Sequence, residues 1–191
     1  MLRYLWVSLT VIILDQLTKY LVYSQMPLRE RINVLPVFDI TYNHNPGVAF
    51  SFLADAGVWK TYFLISLTLL LSVILFIWIA RMKPWEKLQA IGMSMILGGA
   101  IGNLTDRFLH TDTANHKEGV VDFILVYWND HLFPAFNIAD SAITIGVIVI
   151  LWFMIFVVDP AEQDGQERVN EQSNPNTSID IQSTDKTRES K

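Results

Sequence analysis

The chain has 191 residues, 51% of them hydrophobic and 17% charged, with no cysteine and a formal net charge of −5. The missing cysteine excludes disulfides, thiolate metal sites and a thiol nucleophile. The negative charge is local: residues 159–191 hold eight acidic and four basic side chains, and the near-neutral remainder offers no basic surface for nucleic acid.

The aliphatic residues are gathered into four long runs, Tyr4–Tyr23, Thr61–Ala80, Leu88–Thr105 and Ile138–Val158. A bilayer core needs about 20 mostly apolar residues per helix. The run Thr61–Ala80 carries no charge on any face, which excludes the amphipathic helix of a soluble bundle. The first run follows Arg3 as a signal peptide would, but it contains Asp15 and Lys19 and lacks a small-residue cleavage site. It is expected to stay as an anchor.

The first long loop, 24–60, has its own pattern. Ile32, Val34, Phe38, Ile40 and Tyr42 recur with a period near two, which predicts a half-buried strand whose start is weakened by Pro36. Asn45, Pro46 and Gly47 fit a type II turn, with Gly47 taking positive φ. Val48–Phe52 is expected to return as a second strand. A small sheet lying on the outer membrane surface follows from this pattern.

The loop Arg81–Lys87 has three basic residues in seven positions. Short basic loops stay cytoplasmic, so both termini are expected in the cytoplasm and both long loops outside. The third run contains Gly92, Gly98, Gly99 and Gly102. Small residues at such spacing speak for close helix packing and not for chemistry. The second long loop, 108–137, holds the apolar run Gly119–Tyr127 with Asp122 inside it. From Asp159 the chain is polar and too poor in apolar residues to order itself, so a disordered cytoplasmic tail is expected.

The expected fold class is therefore an all-α membrane protein. It has four transmembrane helices over 1–158, a small extracytoplasmic β-sheet and a disordered C-terminal tail over 159–191.

Several polar residues sit where a bilayer penalises them. Asp15 and Lys19 are four apart on the first helix and share a face, as an ion pair or a snorkelling lysine would. Asp106 and Arg107, taken alone, read as solvated interface residues, whereas Asn103 lies deeper and needs a partner. Asn137 suits a helix N-cap, and Asp140 an acid in the first turn. Asp122, between Val121 and Phe123, reads less easily as a solvated acid and more as a buried functional carboxylate. Together these residues fall at one membrane face, which argues for a single polar site there.

Two aspartates without thiol or metal motif point to paired-carboxylate catalysis. Two such groups cannot both ionise easily, so one serves as general base towards water. The other polarises the scissile carbonyl and then protonates the leaving nitrogen. No cofactor or metal is called for. His44, His110, His116 and His131 are scattered over loops without the His-Glu-x-x-His spacing of a zinc protease. There is no Gly-x-Ser-x-Gly elbow, and no serine stands out as partner to Lys19 for a Ser–Lys dyad. A transporter would line a path across the bilayer with charge instead of gathering it at one face. A membrane scaffold would explain the glycines but not the polar cluster.

Five ordered blocks carry a resemblance. Leu14-Asp15-Gln16-Leu17-Thr18-Lys19, Asn45-Pro46-Gly47-Val48-Ala49-Phe50, Gly98 to Arg107, Val120-Val121-Asp122-Phe123 and Phe136-Asn137-Ile138-Ala139-Asp140 resemble the conserved blocks of bacterial lipoprotein signal peptidase, also called signal peptidase II. The likeness runs from about residue 2 to 158. It implies a cofactor-free aspartic endopeptidase of the bacterial inner membrane with its site near the periplasmic face. Its expected partners are the bilayer, prolipoproteins cut before a diacylglyceryl-modified cysteine, and globomycin-type inhibitors. By matching position it implies Asp122 and Asp140 as the catalytic pair. Asn45, Asn103, Arg107 and Asn137 would hold substrate backbone or orient the pair, with Gly47 in the turn block. Asp15, Lys19 and Asp106 would support the site.

Overall fold

A computed structural model describes residues 1–47, 58–112 and 117–156. After a 3₁₀ turn at Leu2–Tyr4, four long helices follow: α1 (Leu5–Gln25), α2 (Val58–Arg81), α3 (Lys87–Leu109) and α4 (Ile138–Phe156). All four are long and apolar enough to cross a membrane. Met1–Leu151 forms one compact unit, and the last turns of α4 from Trp152 fall in a second.

Within the first unit α3 is the central helix: 56% of its apolar window is buried, against 17% for α2. Its glycines explain why. A Cβ on Gly98 would stand 2.8 Å from the Ser8 carbonyl oxygen of α1, and one on Gly99 would overlap the Ala139 carbonyl of α4. One glycine face therefore receives α1 and the other α4, as small residues allow in lipid. At the end of α3 that follows the Arg81–Lys87 loop, Ala90, Met93 and Leu97 pack with Ile79 and Met82 into an apolar core.

The other end of α3 meets a four-stranded antiparallel sheet of order β1 (Arg31–Leu35), β2 (Phe38–Asn45), β5 (Val120–Trp128), β6 (His131–Leu132). A separate two-stranded ladder pairs β3 (Thr111–Asp112) with β4 (Lys117–Glu118). The apolar run of the second loop is thus a strand, and it pairs with β2 of the first loop: Ile40 lies opposite Ile124 and Asn43 opposite Asp122.

One expectation is corrected. The stretch from Ile32 to Tyr42 is a hairpin of two strands and not one strand, with Pro36 in the connecting turn. Its buried residues are Asp39, Thr41 and Tyr42, whereas Ile32 and Val34 are nearly half exposed. Proline supplies no N–H to a ladder, so the apolar period could not run through it. Asp39 is buried because Arg31 and Asn33 reach it from β1. The expected return strand Val48–Phe52 and the tail from Asp159 lie outside the described residues. Gly47 has φ +86°, the positive value its turn requires, and its N–H donates to the Asn45 side chain at 3.0 Å.

Candidate active site

Lys19 sits at the centre of the polar end of the helices. Its ammonium contacts Asp15 at 2.8 Å, Asp106 at 2.9 Å and the Asn103 amide oxygen at 3.0 Å. Three acceptors match its three N–H donors. Lys19, Asp15 and Asp106 are all buried, at 3%, 0% and 1% exposure. The interface reading of Asp106 is therefore corrected: the sheet covers it. A buried charge of either sign is tolerated only when paired and hydrogen-bonded, and here every oxygen is used. Asp15 accepts from the Ala139 N–H in the first turn of α4 at 2.9 Å. Asp106 accepts from the Val121 N–H of β5 at 2.9 Å. Gln16 closes the network by donating to Asp106 at 2.9 Å and to the Gly102 carbonyl at 3.1 Å.

The two backbone bonds decide where the remaining acids stand. Ala139 precedes Asp140, and Val121 precedes Asp122. A charge hub on α1 and α3 thus holds the chain on either side of the second acid pair. Asn137 joins that pair directly. Its side-chain N–H₂ donates to Asp122 Oδ1 at 2.7 Å, and its side-chain oxygen accepts from the Asp140 N–H at 2.9 Å. The Asp140 carboxylate in turn accepts from the Asn137 N–H at 3.3 Å. This reciprocal arrangement is a capping box at the start of α4. Asn103 adds a donor to the other Asp140 oxygen at 2.8 Å.

Asp122 is buried at 3% exposure in a strand of Val, Phe and Ile. Burial, and after it the charge of Asp140, push its carboxyl up to about 7, against the opposing hydrogen bonds of Asn45 and Asn137. Arg107 donates to the Asn103 carbonyl at 3.1 Å and feels the charges of Asp106, Asp140 and Asp122. A cavity of about 510 Å³ opens beside it. Its walls are apolar, with Leu71, Ile74 and Trp78 of α2 and Ile143 of α4, and it ends on Asn103 and Arg107.

All ten residues singled out in the sequence fall in this region. Asp15, Lys19, Asn103 and Asp106 join the hub. Asp122, Asp140, Asn45 and Asn137 form a second group, with Arg107 beside it. Gly47 supports the Asn45 turn, and a Cβ there would overlap Leu64 of α2.

Three further residues belong to the site. Gln16 is a polar side chain in mid-span, a signal in itself. Gly102 does more than allow helices to pack, since a Cβ there would stand 2.6 Å from the Asp15 carboxylate. Gly119, with φ +91°, lets the backbone of Asn45 and Pro46 pass where a side chain would be. The histidines are also less scattered than their spacing suggests. His44 and His110 have ring centroids 5.0 Å apart, beside Tyr42 and Tyr23. Among the described residues no group of three or more His, Asp or Glu has the geometry to hold a metal.

The family described as signal peptidase (SPase) II matches residues 7–156. A lipoprotein signal peptidase of Actinobacillus succinogenes is 40% identical over 171 residues, covering 90% of this chain and 96% of that protein. One from Neisseria gonorrhoeae is 47% identical over 148 residues, covering 77% and 85%. A solved bacterial membrane enzyme superposes with a TM-score of 0.67 at 30% identity, covering 82% of this chain and 94% of that one. A membrane fold, a polar site under a small sheet and these likenesses agree: the chain belongs to the signal peptidase II family of membrane peptidases.

Proposed function

We propose that the chain is an aspartic endopeptidase of the bacterial inner membrane. It removes signal peptides from prolipoproteins by cutting before a diacylglyceryl-modified cysteine, with Asp122 and Asp140 as the catalytic pair. The observation that carries this reading is the Asn137 side chain, which bonds Asp122 and Asp140 at once.

The two acids differ in a way that suits the chemistry. Both oxygens of Asp140 accept N–H groups at the start of a helix, which fixes the carboxylate as a hydrogen-bond acceptor. Asp122 stands in an apolar strand with its carboxyl near 7, so the proton shared by the pair resides there. Asp140 takes a proton from water, whose oxygen bonds the scissile carbonyl carbon. Asp122 donates a hydrogen bond to the carbonyl oxygen and then its proton to the leaving nitrogen as the C–N bond breaks. Loss of the water-derived proton from Asp140 and uptake of one by Asp122 restore the starting state.

Asn45, Asn103, Arg107 and Asn137 orient the pair or hold substrate backbone, and Gly47 keeps the Asn45 turn tight. Asp15, Lys19 and Asp106 fix the frame. The three acceptors around Lys19 leave it no role as a general base, which speaks against a Ser–Lys dyad. The apolar cavity between α2 and α4 gives a lipid-anchored substrate, or a globomycin-type inhibitor, a route from the bilayer to Asn103 and Arg107. The basic loop Arg81–Lys87 favours cytoplasmic termini and a periplasmic site.

The test is cleavage of a purified diacylglyceryl-modified prolipoprotein by wild type, Asp122→Asn and Asp140→Asn, with and without a strong chelator. The reading expects loss in both variants and indifference to chelator. Full activity in either variant sinks the pair, and inhibition by chelator points to a metalloprotease.

A further inference from the structure

A second cavity lies beyond the end of α1, at the link between α1 and β1. It measures about 190 Å³ and is lined by Leu28, Arg29, Asn43, His44, Pro46 and Glu118. It shares no residue with the apolar cavity between α2 and α4. Most of its lining is polar or charged, so it suits a hydrated segment. Its place relative to the acids is fixed by β2. Asn43 lies opposite Asp122, and Asn45, between the lining residues His44 and Pro46, bonds the Asp122 carboxylate. Glu118 is four residues before Asp122, a separation of at most about 13 Å along an extended chain.

Arg29 has a backbone that arginine does not favour. Its φ is +68°, in the left-handed region where glycine sits freely and other residues are strained. The turn is imposed by its bonds to β2. The Arg29 N–H donates to the Tyr42 carbonyl at 2.7 Å, and the Tyr42 N–H donates to the Glu30 carbonyl at 3.2 Å. The Arg29 side chain adds nothing to that turn. It is exposed and makes no hydrogen bond or ion pair among the described residues. Glu118 is likewise without an ion pair among them. A strained position that carries a charge with no internal partner points to a ligand.

We propose that this cavity is a subsite for the polypeptide that follows the modified cysteine, with Arg29 selecting an acidic side chain. The inference rests on the peptidase reading. A prolipoprotein leaves the cut bond in two directions. Its acyl chains and signal helix belong to the bilayer, beside the apolar cavity, whereas the mature polypeptide is polar and must leave through water. An extended segment advances about 3.3 Å per residue, so it enters the cavity about two to four residues past the cysteine. There Arg29 attracts a carboxylate and Glu118 repels it. Arg29 is the more exposed of the two, on a longer and more flexible side chain, so the acid settles at Arg29 and away from Glu118. Charge matching of this kind sets specificity more than affinity.

The test uses the full chain in lipid nanodiscs and one diacylglyceryl-modified prolipoprotein. Asp, Asn or Lys is placed in turn two, three and four residues after its cysteine. An exposed ion pair is worth little, so wild type should favour Asp over Lys by about three- to fivefold in kcat/KM, through KM, at the best position. Arg29→Gly should erase the preference without lowering the melting temperature, because glycine accepts φ +68°. Arg29→Glu should reverse the preference, and Glu118→Gln should enlarge it. Lost stability in Arg29→Gly with the preference intact would make Arg29 structural and overturn the proposal. Cleavage of every version at equal rates by wild type overturns the subsite and leaves the peptidase reading standing. No cleavage of any version overturns both.

Discussion

Two clusters of acids meet at Asn103, which accepts from Lys19 and donates to Asp140, and they are built to opposite rules. Around Lys19, the Asp15 and Asp106 carboxylates share a cation, a glutamine amide and two backbone N–H groups, so every oxygen is matched. Around Asn137, Asp122 and Asp140 receive amide donors but no ammonium, and the charge of one acts on the other. A saturated cluster resists change and serves as a frame. A cluster left with mutual repulsion holds a proton it can exchange. The partner count, and not burial, separates the two, since Asp15, Asp106 and Asp122 are all at or below 3% exposure.

The largest effect should come from erasing the second cluster. Asp122→Asn and Asp140→Asn keep the size and most hydrogen bonds but remove the exchangeable proton. Each should lower turnover by about 10²–10⁴-fold without lowering the melting temperature. If either variant unfolds instead, that acid belongs to the frame and the distinction between the clusters fails.

Lys19→Met tests the frame. It leaves two buried carboxylates without their cation, a loss on the order of 3–5 kcal/mol when one partner of a buried pair is removed. Both stability and activity should fall. Adding Asp106→Asn to Lys19→Met should recover stability, measured by thermal unfolding in detergent, because less charge is then stranded. It should not recover full activity, because Val121 loses its strong acceptor.

The helices and the polar face were legible in the sequence because the bilayer penalises charge so heavily that each exception is informative. Thr61–Ala80 against Val58–Arg81, or Ile138–Val158 against Ile138–Phe156, differ only at the ends. The pairing of β2 with β5 was not legible. It joins residues about 80 apart, and no local pattern encodes the partner of a strand. Apolar periodicity named Tyr42 rightly but missed Asp39 and Thr41: Asp39 is buried by Arg31 and Asn33, an effect of hydrogen bonding that a hydrophobic count cannot see. The saturation of Lys19 was equally hidden, since two of the backbone donors that complete the hub come from Val121 and Ala139, apolar residues by their side chains.

Gly102 ties the helix packing to the frame and sharpens the comparison at moderate cost. In Gly102→Ala the new Cβ would stand 2.6 Å from Asp15 Oδ2, the oxygen that contacts Lys19, so the carboxylate must shift and carry Oδ1 with it from the Ala139 N–H. Turnover per folded molecule should drop roughly tenfold, the scale of a small misplacement of a catalytic group. Gly98→Ala is the control. Its Cβ meets the Ser8 backbone at 2.8 Å, which costs stability by overpacking, about 1–3 kcal/mol, but leaves the frame intact. Equal turnover per folded molecule in the two variants would show that Gly102 is packing alone.

The proton on the second cluster has a pH signature, with a sign that follows from its cause. Burial and the neighbouring Asp140 push Asp122 up to about 7, whereas an unfolded aspartate sits near 3.9. The folded protein therefore keeps a proton that the unfolded chain loses, so this contribution to stability is full below about pH 4 and is lost as pH rises through 7. Turnover should fall over the same alkaline limb, because the acid that protonates the leaving nitrogen is ionised there. The apparent midpoint belongs to the pair. Asp122→Asn should flatten the stability slope between pH 4 and 8, read by thermal unfolding. A slope that survives in Asp122→Asn would move the proton elsewhere.

The smallest effect is expected at the polar cluster of the hairpin, where Arg31 bonds Asp39 and stacks over Tyr127 with 4.8 Å from its guanidinium carbon to the ring centroid. Arg31 is 43% exposed, so solvent screens the pair and its removal should be mild. Arg31→Ala should leave cleavage within about twofold of wild type. Asp39 keeps the Asn33 amide at 2.8 Å, so the buried carboxylate is not stranded as Asp15 and Asp106 are without Lys19. Both sites pair a buried aspartate with a cation, yet only the Lys19 pair also holds the backbone beside Asp122 and Asp140. A loss in Arg31→Ala as large as in Lys19→Met would therefore show that the hairpin, and not the hub alone, sets the position of β5.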